Sequence, residues 1–265
     1  MPELPEVETV VRGLRAGLVG ARFQEVELLT PSVLRCGTPQ LLCATAGERV
    51  TAVSRAGKFI VAELERGPLL LFHLGMTGQL RLEPDRAVPK HTHALWTLAD
   101  GRQLRFTDPR RFGRLGVARE WAQLPLPRGK EPLEIAAGEF AELFAGRSAP
   151  IKNLLLNQSH LRGLGNIYAD ESLFRAEIHP LARRLRRKRL ERLHGAVQAV
   201  LSEAIAAGGS SIADYVDSAG QPGWFQTVHR VYGREGEPCR SCGTAVRRLV
   251  LGGRSAHFCP RCQRR

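Results

Sequence analysis

Two places in the chain hold residues whose types and spacing can do chemistry, and they lie at opposite ends. Four of the six cysteines fall in the last 27 residues, as Cys239-x2-Cys242-x16-Cys259-x2-Cys262. Two thiolate pairs presented by two turns make a closed tetrahedral zinc site, and the 16-residue spacer is long enough for a hairpin between them. The alternative is a pair of disulfides, as in small secreted scaffolds. The N-terminus, however, opens on Pro and Glu rather than a basic then apolar segment, so no secretory signal is expected. One structural zinc ion per chain is the expected cofactor. Cys36 and Cys43 stand alone and read as ordinary buried or reduced thiols.

At the other end, removal of Met1 would leave Pro2 with a free secondary amine. A free α-amino group has a reference pKa of about 7.7–8.0, against about 10.4 for Lys. A useful fraction is therefore neutral and nucleophilic at physiological pH without burial. Attack on an aldehyde-like sugar carbon gives an iminium that cannot shed its charge by deprotonation, which makes it a lasting electron sink. Glu3 stands beside it as a proton donor or acceptor. The plain alternative is that Pro2, Glu3 and Pro5 only start a helix.

The charge balance says what such groups would act on. The 265 residues carry 39 Lys+Arg against 26 Asp+Glu, a formal net charge of +13. Nucleic acid is the first candidate partner and an anionic membrane surface the second. Ala182–Leu193 holds seven basic residues and one Glu, and Arg230–Arg265 holds nine Arg and two Glu. A solvated helix face explains the first run as readily as a binding role does. An Arg-rich zinc hairpin suits bidentate phosphate contacts better. No apolar run approaches the ~18–20 residues of a membrane span, and 43% hydrophobic residues exclude general disorder.

The elements that must position these groups fall into three textures. Residues 4–19 put Val7, Val10, Val11, Leu14 and Leu18 on one helical face, with Glu6 and Glu8 in the first turn and Gly20 as a stop. From about 22 to 118 the pattern changes to short apolar runs split by Gly, Pro and Asp. Among these are Lys58–Leu64, Leu69–Leu74, Ala94–Leu98 and Gln103–Phe106, with Asp100-Gly101 as a tight hairpin turn between the last two. Such runs predict a sandwich or flattened barrel. Leu124–Glu134, with three prolines and a glycine, reads as a linker. Helices are expected over Glu139–Ala145, Ile151–Asn157, Asn166–Ala176 and Arg187–Ala207, followed by a Gly-rich loop over Gly208–Gly223 and then the zinc module.

Seven features in one order carry a resemblance. They are the opening Met-Pro-Glu-Leu-Pro-Glu-Val-Glu-Thr, Gly57-Lys58-Phe59, His73-Leu74-Gly75-Met76-Thr77-Gly78 and Lys90-His91-Thr92-His93. Next come Asp108-Pro109-Arg110-Arg111-Phe112-Gly113, Gly163-Leu164-Gly165-Asn166-Ile167-Tyr168-Ala169-Asp170-Glu171, and the four-Cys hairpin. Together they resemble the formamidopyrimidine-DNA glycosylases over essentially the whole chain. The resemblance implies an α+β multidomain fold. Its parts are an N-terminal catalytic β-sandwich with a leading helix (1–123), a linker (124–134), a helix-two-turn-helix DNA-binding domain with a lesion-covering loop (135–229) and a zinc finger (230–265). It implies excision of oxidised purines such as 8-oxoguanine and formamidopyrimidines from double-stranded DNA, then strand nicking by β- and δ-elimination. A monomeric, cytoplasmic bacterial enzyme, held at the nucleoid by DNA and not at a membrane, is expected.

The same resemblance assigns roles residue by residue. Pro2 is the Schiff-base nucleophile at the sugar C1′, and Glu3 the proton donor that helps open the ring. Lys58 is the second donor, used in β-elimination and facing the lesion's phosphates. Arg254 matches the arginine of δ-elimination, where phosphate clamping suits a permanently protonated guanidinium better than proton donation. A flipped nucleotide leaves a gap. Met76 and Phe112 match the apolar wedge that fills it, with Arg110 facing the widowed cytosine. Asn166, starting a helix after two glycines, joins the phosphate clamp, and His91, Arg147 and Lys152 occupy DNA-binding positions. Taken singly, Met76 and Phe112 also fit core packing, Lys58 a strand start, and the last three a solvated surface.

Two departures stand out. Asn157-Gln158 replaces the common Asp-amide pair, and Ala219-Gly220-Gln221-Pro222-Gly223-Trp224 replaces the usual Asp-Gly-Lys-Pro-Gly-Tyr of the covering loop. Both put lesion preference in question rather than catalysis. The alternatives are an endonuclease VIII-type glycosylase for oxidised pyrimidines and a non-catalytic zinc-dependent DNA-binding protein. Leu4, Gly-Lys-Phe and Pro-Gly-Trp-Phe favour the purine branch, and Pro2 has no use in a mere binder.

Overall fold

The first helix forms where the apolar spacing requires it. α1 (Leu4–Leu18) buries Leu4, Val7, Val10, Val11, Leu14 and Leu18, while Pro5 and Glu6 in the first turn suit the positive end of its dipole. Gly20, at φ +86°, turns the chain out. These positions come from a computed structural model that describes residues 1–84, 87–212 and 215–265. Ala213 and Asp214 of the Gly-rich loop lie outside the described residues.

Nine strands follow in two sheets. The first sheet orders β1 (Phe23–Leu28), β7 (Thr92–Leu98), β8 (Gln103–Thr107) and β6 (Gln79–Glu83), all antiparallel. The second orders β2 (Leu34–Cys36), β9 (Arg114–Ala118), β5 (Leu69–His73), β4 (Phe59–Leu64) and β3 (Val50–Ala56). Between Phe23 and Phe72 sits fully buried Trp96, and one continuous apolar core joins both sheets to α1. The hairpin at Asp100-Gly101 forms as expected, with Gly101 at φ +84°. Two features differ from the sequence reading. A short helix, α2 (Pro39–Cys43), interrupts the strands, capped where Thr38 Oγ1 accepts from Leu41 N at 3.1 Å. β2 pairs β9 in parallel rather than through a hairpin. Cys43 is exposed and Cys36 half-buried, and both are free thiols.

The remaining helices are α3 (Ala137–Phe144), α4 (Ile151–Leu156), α5 (Asn166–Arg175) and α6 (Arg187–Ala206), within two residues of their expected limits. β10 (Arg247–Leu251) and β11 (Arg254–Phe258) close the chain as an antiparallel hairpin. Contacts divide the chain into two units: residues 1–126 with 208–224, and residues 127–207 with 225–265. Gly208–Trp224, expected with the helices, therefore belongs to the sandwich unit. The 124–134 stretch is also not a loose tether. Leu124 is buried under the second sheet's outer face, Gly129 N donates to Gln158 O at 3.2 Å, and buried Glu131 pairs with Arg162 at 2.8 Å. A Cβ at Gly129 would meet Gln158 O at 2.3 Å, so the glycine there serves close approach, not flexibility.

Candidate functional site

In the sandwich unit, the start of α1 is held by reciprocal bonds. Glu3 N donates to Glu6 Oε2 at 2.7 Å, and the Glu3 carboxylate accepts from the Glu6 N–H. Pro2 and Glu3 are buried, with Glu3 4% exposed, while Met1 points outward at 55% exposure. Glu6 carries more than the cap. Its Oε1 accepts from Ser210 N at 2.7 Å, and its backbone carbonyl accepts from Tyr215 Oη at 3.1 Å. Burial and the Glu6 charge push the Tyr215 phenol well above its ordinary pKa, so it stays a neutral donor. The Gly-rich loop is thereby tied to the same turn that holds Pro2 and Glu3.

Lys58 occupies the two-residue turn Gly57-Lys58 joining β3 to β4, where Gly57 adopts φ +60°. It is 7% exposed. Phe59 pairs across the sheet with His73, and their rings lie 4.7 Å apart. His73 is pushed down to a pKa of about 4, by burial first and then by the charges of Lys58, Arg114 and the chain's N-terminal amine. The imidazole is neutral at pH 7, and its Nδ1 accepts from Gly75 N at 3.2 Å. The charges of Lys58 and the N-terminal amine thus both bear on one half-buried, uncharged ring.

The Met76 loop and the Arg110–Phe112 loop meet edge to edge. Gly75, at φ +63°, lies so close to Phe112 and Gly113 that a Cβ would approach their backbone to 2.6 Å. Asp108 is the hub. Fully buried, it accepts from Thr77 Oγ1, from Gly113 N at 2.6 Å and from Arg110 N at 3.2 Å. Its backbone N–H donates to His91 O, and its carbonyl meets His93 Nε2 at 2.8 Å. The result presents Met76 at 43% and Phe112 at 52% exposure, with the Arg110 guanidinium 4.8 Å from the Phe112 ring. Large apolar side chains held outward on a braced loop do not serve the core. His91, exposed and at φ +69°, joins this group.

In the second unit, Asn166 is the first residue of α5, and its Nδ2 lies 3.4 Å from Ser255 Oγ. Arg254 stands exposed at the β10–β11 turn after Gly252 and Gly253, without a carboxylate partner among the described residues. A cavity of about 200 Å³ there is lined by Asn153, Asn157 and Arg254. Asn157 brings an amide, not a carboxylate, to that lining. Gln158 braces the turns between α4 and α5, bonding Leu156 O, Leu164 O and Gly163 N. Arg147 is exposed and donates to Leu143 O.

Lys152 requires a correction. Expected as a DNA contact, it is 0% exposed, with Nζ 2.6 Å from Asp170 Oδ1 and 2.6 Å from Ser255 O. A cation so enclosed is satisfied inside the protein and does not meet a phosphate.

The four cysteine sulfurs lie within 4.8 Å of one another, with Cys239 to Cys262 at 3.9 Å and Cys242 to Cys259 at 3.5 Å. Zn–S bonds of ~2.3 Å in a tetrahedron require sulfurs about 3.8 Å apart. The donor set therefore fits zinc.

Comparison with known proteins agrees along the chain. Residues 1–115 match the formamidopyrimidine-DNA glycosylase N-terminal domain, 129–216 the formamidopyrimidine-DNA glycosylase H2TH domain, and 236–265 the zinc finger found in FPG and IleRS. The formamidopyrimidine-DNA glycosylase of Solibacter usitatus is 51% identical over 268 residues, covering 100% of both chains. The chain belongs to the formamidopyrimidine-DNA glycosylase family. Among solved structures, the MutM (Fpg) protein of Thermus thermophilus aligns with a TM-score of 0.88 at 45% identity, over 99% of this chain and 98% of that one. A Lactococcus lactis Fpg in complex with DNA containing an abasic site aligns at 0.89 and 35% identity, over 99% and 100%. The four-cysteine cluster is accordingly this family's zinc finger, holding one structural zinc. Glu6, Asp108, His73 and Asp170 were given no bracing role by the sequence reading, although all four stand within the motifs that carried the resemblance. Only Glu6 had a local signal, the reciprocal Glu3-x-x-Glu6 spacing.

Proposed function

We propose that this chain is a bifunctional DNA glycosylase/AP lyase of base-excision repair, acting on oxidised purines in duplex DNA through an N-terminal proline Schiff base. The observation that carries the reading is the buried Pro2-Glu3 start of α1, held by the reciprocal Glu3–Glu6 bonds, in a chain whose residues 1–115 match the family's N-terminal domain. With Met1 removed, the Pro2 nitrogen lone pair attacks C1′ and the glycosidic bonding pair leaves with the base. Glu3 supplies the proton to the ring oxygen as the sugar opens to the iminium. The iminium withdraws electrons so that C2′ loses a proton and the 3′ phosphate departs. Lys58 serves that elimination, and Arg254 and Asn166 steady the phosphates. Met76, Arg110 and Phe112 fill the gap left by the flipped nucleotide, and the 208–224 loop covers the base. Zinc supplies no chemistry to these steps. It orders the hairpin that carries Arg254. The cytoplasm, at the nucleoid, is the compartment we assign.

Borohydride reduction on a duplex carrying 8-oxoguanine tests the mechanism. The expected product is a covalent adduct mapping to the N-terminal peptide, lost in Pro2→Gly with Met1 retained, with base excision suppressed in Glu3→Gln. An adduct mapping to Lys58 refutes it, and preference for oxidised pyrimidines in the same assay refutes the substrate assignment.

A further inference from the structure

The two basic runs of the sequence meet in one place that the lesion chemistry does not use. Within the second unit, a cavity of about 730 Å³ is lined by Arg189 and Arg192 of α6, by Glu177, and by Arg261, Arg264 and Arg265 beyond the zinc hairpin. Arg192 pairs with Glu177 at 3.2 Å. The other four arginines have no carboxylate partner among the described residues. Arg189 and the Arg264 backbone are also held in place. Arg264 forms a parallel bridge with Ile178, its carbonyl accepts from His179 N and Arg189 Nη2 at 3.0 Å each, and buried Gln263 bonds Ile178 O and Cys259 N. Burial and the Arg192 charge hold the Arg189 pKa below its ordinary value, a mark of crowded like charge.

Two rival explanations meet the same geometry. The first is that the arginines offset the zinc centre, since Cys242 and Cys262 line the cavity. A zinc tetrathiolate carries two net negative charges. Even with Glu177 and the Arg265 α-carboxylate added, five guanidinium groups leave one positive charge in excess. The second is that the cavity is part of the Arg254 clamp. Arg254 pairs with Leu251 at one end of the hairpin, however, and Phe258 pairs with Arg247 at the other. Four strand steps separate those ends by about 13 Å, and the cavity lies at the cysteine end.

We propose that this cavity binds the phosphodiester backbone of a second stretch of DNA, outside the one that carries the lesion. Guanidinium forks grip phosphate oxygens bidentately, and five of them lining one cavity can share a run of phosphates. The site adds to the lesion-binding reading and does not depend on it.

The test uses the zinc-loaded full chain with Arg261→Gln and Arg265→Gln combined. Affinity for an undamaged duplex of about 40 bp is measured against salt, and excision is followed on a lesion duplex of about 12 bp. Losing two phosphate contacts flattens the log–log salt slope by about 1.8 on the long duplex, a loss of tenfold or more near ~0.1 M salt. Excision from the short duplex keeps its kcat and KM. An unchanged slope overturns the proposal, as does equal impairment of short-duplex excision. Faster zinc loss to a chelator with DNA affinity intact assigns the arginines to the metal centre instead. Pyrophosphate binding that vanishes in the variant while the long-duplex slope stays unchanged makes this a small-polyphosphate site, not a DNA site. Failure of the Pro2 adduct would leave the long-duplex salt slope, the zinc loss and the pyrophosphate binding untouched.

Discussion

Replacing Lys152 separates two incompatible roles for one residue. In the structure its ammonium and the Asp170 carboxylate are both fully enclosed, 2.6 Å apart, with Ser255 O as the second acceptor. Lys152→Met leaves Asp170, among the described residues, with the His257 N–H at 2.9 Å and the ring Nδ1 at 3.3 Å. Removing one member of such a buried pair costs about 3–5 kcal/mol, most of it the uncompensated charge left behind. At a urea m-value of ~2 kcal/mol/M, the unfolding midpoint should drop by about 2 M. Adding Asp170→Asn removes the stranded charge yet keeps an oxygen for His257 N. The double variant should therefore recover about 2 kcal/mol relative to Lys152→Met alone, a coupling that two independent sites would not show. Urea titrations of the zinc-loaded chain, followed by far-UV circular dichroism, measure both numbers. A loss below about 1 kcal/mol with no recovery would refute the buried-pair reasoning. If the variant instead keeps its stability and its DNA-binding salt slope falls by about 0.9, Lys152 is a phosphate contact after all.

Three further outcomes are expected. Stability should fall as pH drops from about 6.5 to about 4, because His73 binds its proton in the unfolded chain before the folded one. The contribution is about 3 kcal/mol, and His73→Asn should flatten the dependence of the urea midpoint in that window. Phe112→Ala and Arg110→Ala should slow excision from duplex by tenfold or more yet spare cleavage at a preformed abasic site, since an abasic site has no base to flip. Equal loss on both substrates would show a folding defect. Glu6→Ala strands the N–H groups of Glu3 and Ser210, so hydrogen exchange should accelerate at Ser210 and excision should fall. Unchanged exchange there would refute the tie.

What was legible from the sequence was what depends on neighbours along the chain. The Val7-to-Leu18 stripe, the Asp100-Gly101 turn and the α6 stripe each close on their own segment, and the cysteine pairs announce their sulfurs by spacing alone. Asp108 was not legible as a hub because its partners, Thr77, Gly113, His91 and His93, come from three separate segments. The parallel β2–β9 pair is hidden for the same reason: it joins residues about eighty apart. Lys152 was misread because a lysine on a DNA-binding protein ordinarily faces water. Its setting in Ile151–Leu156, where four of six residues are apolar, was the available warning. The Gly208–Trp224 loop was grouped with the helices that precede it, whereas Glu6 and Tyr215 bind it to the start of α1.

That last tie has a mechanical consequence for the site. A carboxylate has two oxygens, and Glu6 commits one to the Glu3 N–H and the other to the Ser210 N–H. The backbone that aims Pro2 and the backbone of the covering loop therefore hang on a single planar group. Gly209, at φ +83°, makes the coupling tight, since a Cβ there would press on Glu6 Oε1 at 2.8 Å. Rotation of the Glu6 side chain that lets the loop lift must also loosen the cap over Glu3. Under the proposed mechanism, seating the loop over a base and holding the Pro2 amine for attack are then one event rather than two. Coupling of this kind favours attack when the loop is seated, which discriminates against bases that do not seat it. Each member of the pair is ordinary in sequence, a helix-capping glutamate and a glycine-rich turn, and only their meeting in space ties the loop to the start of α1.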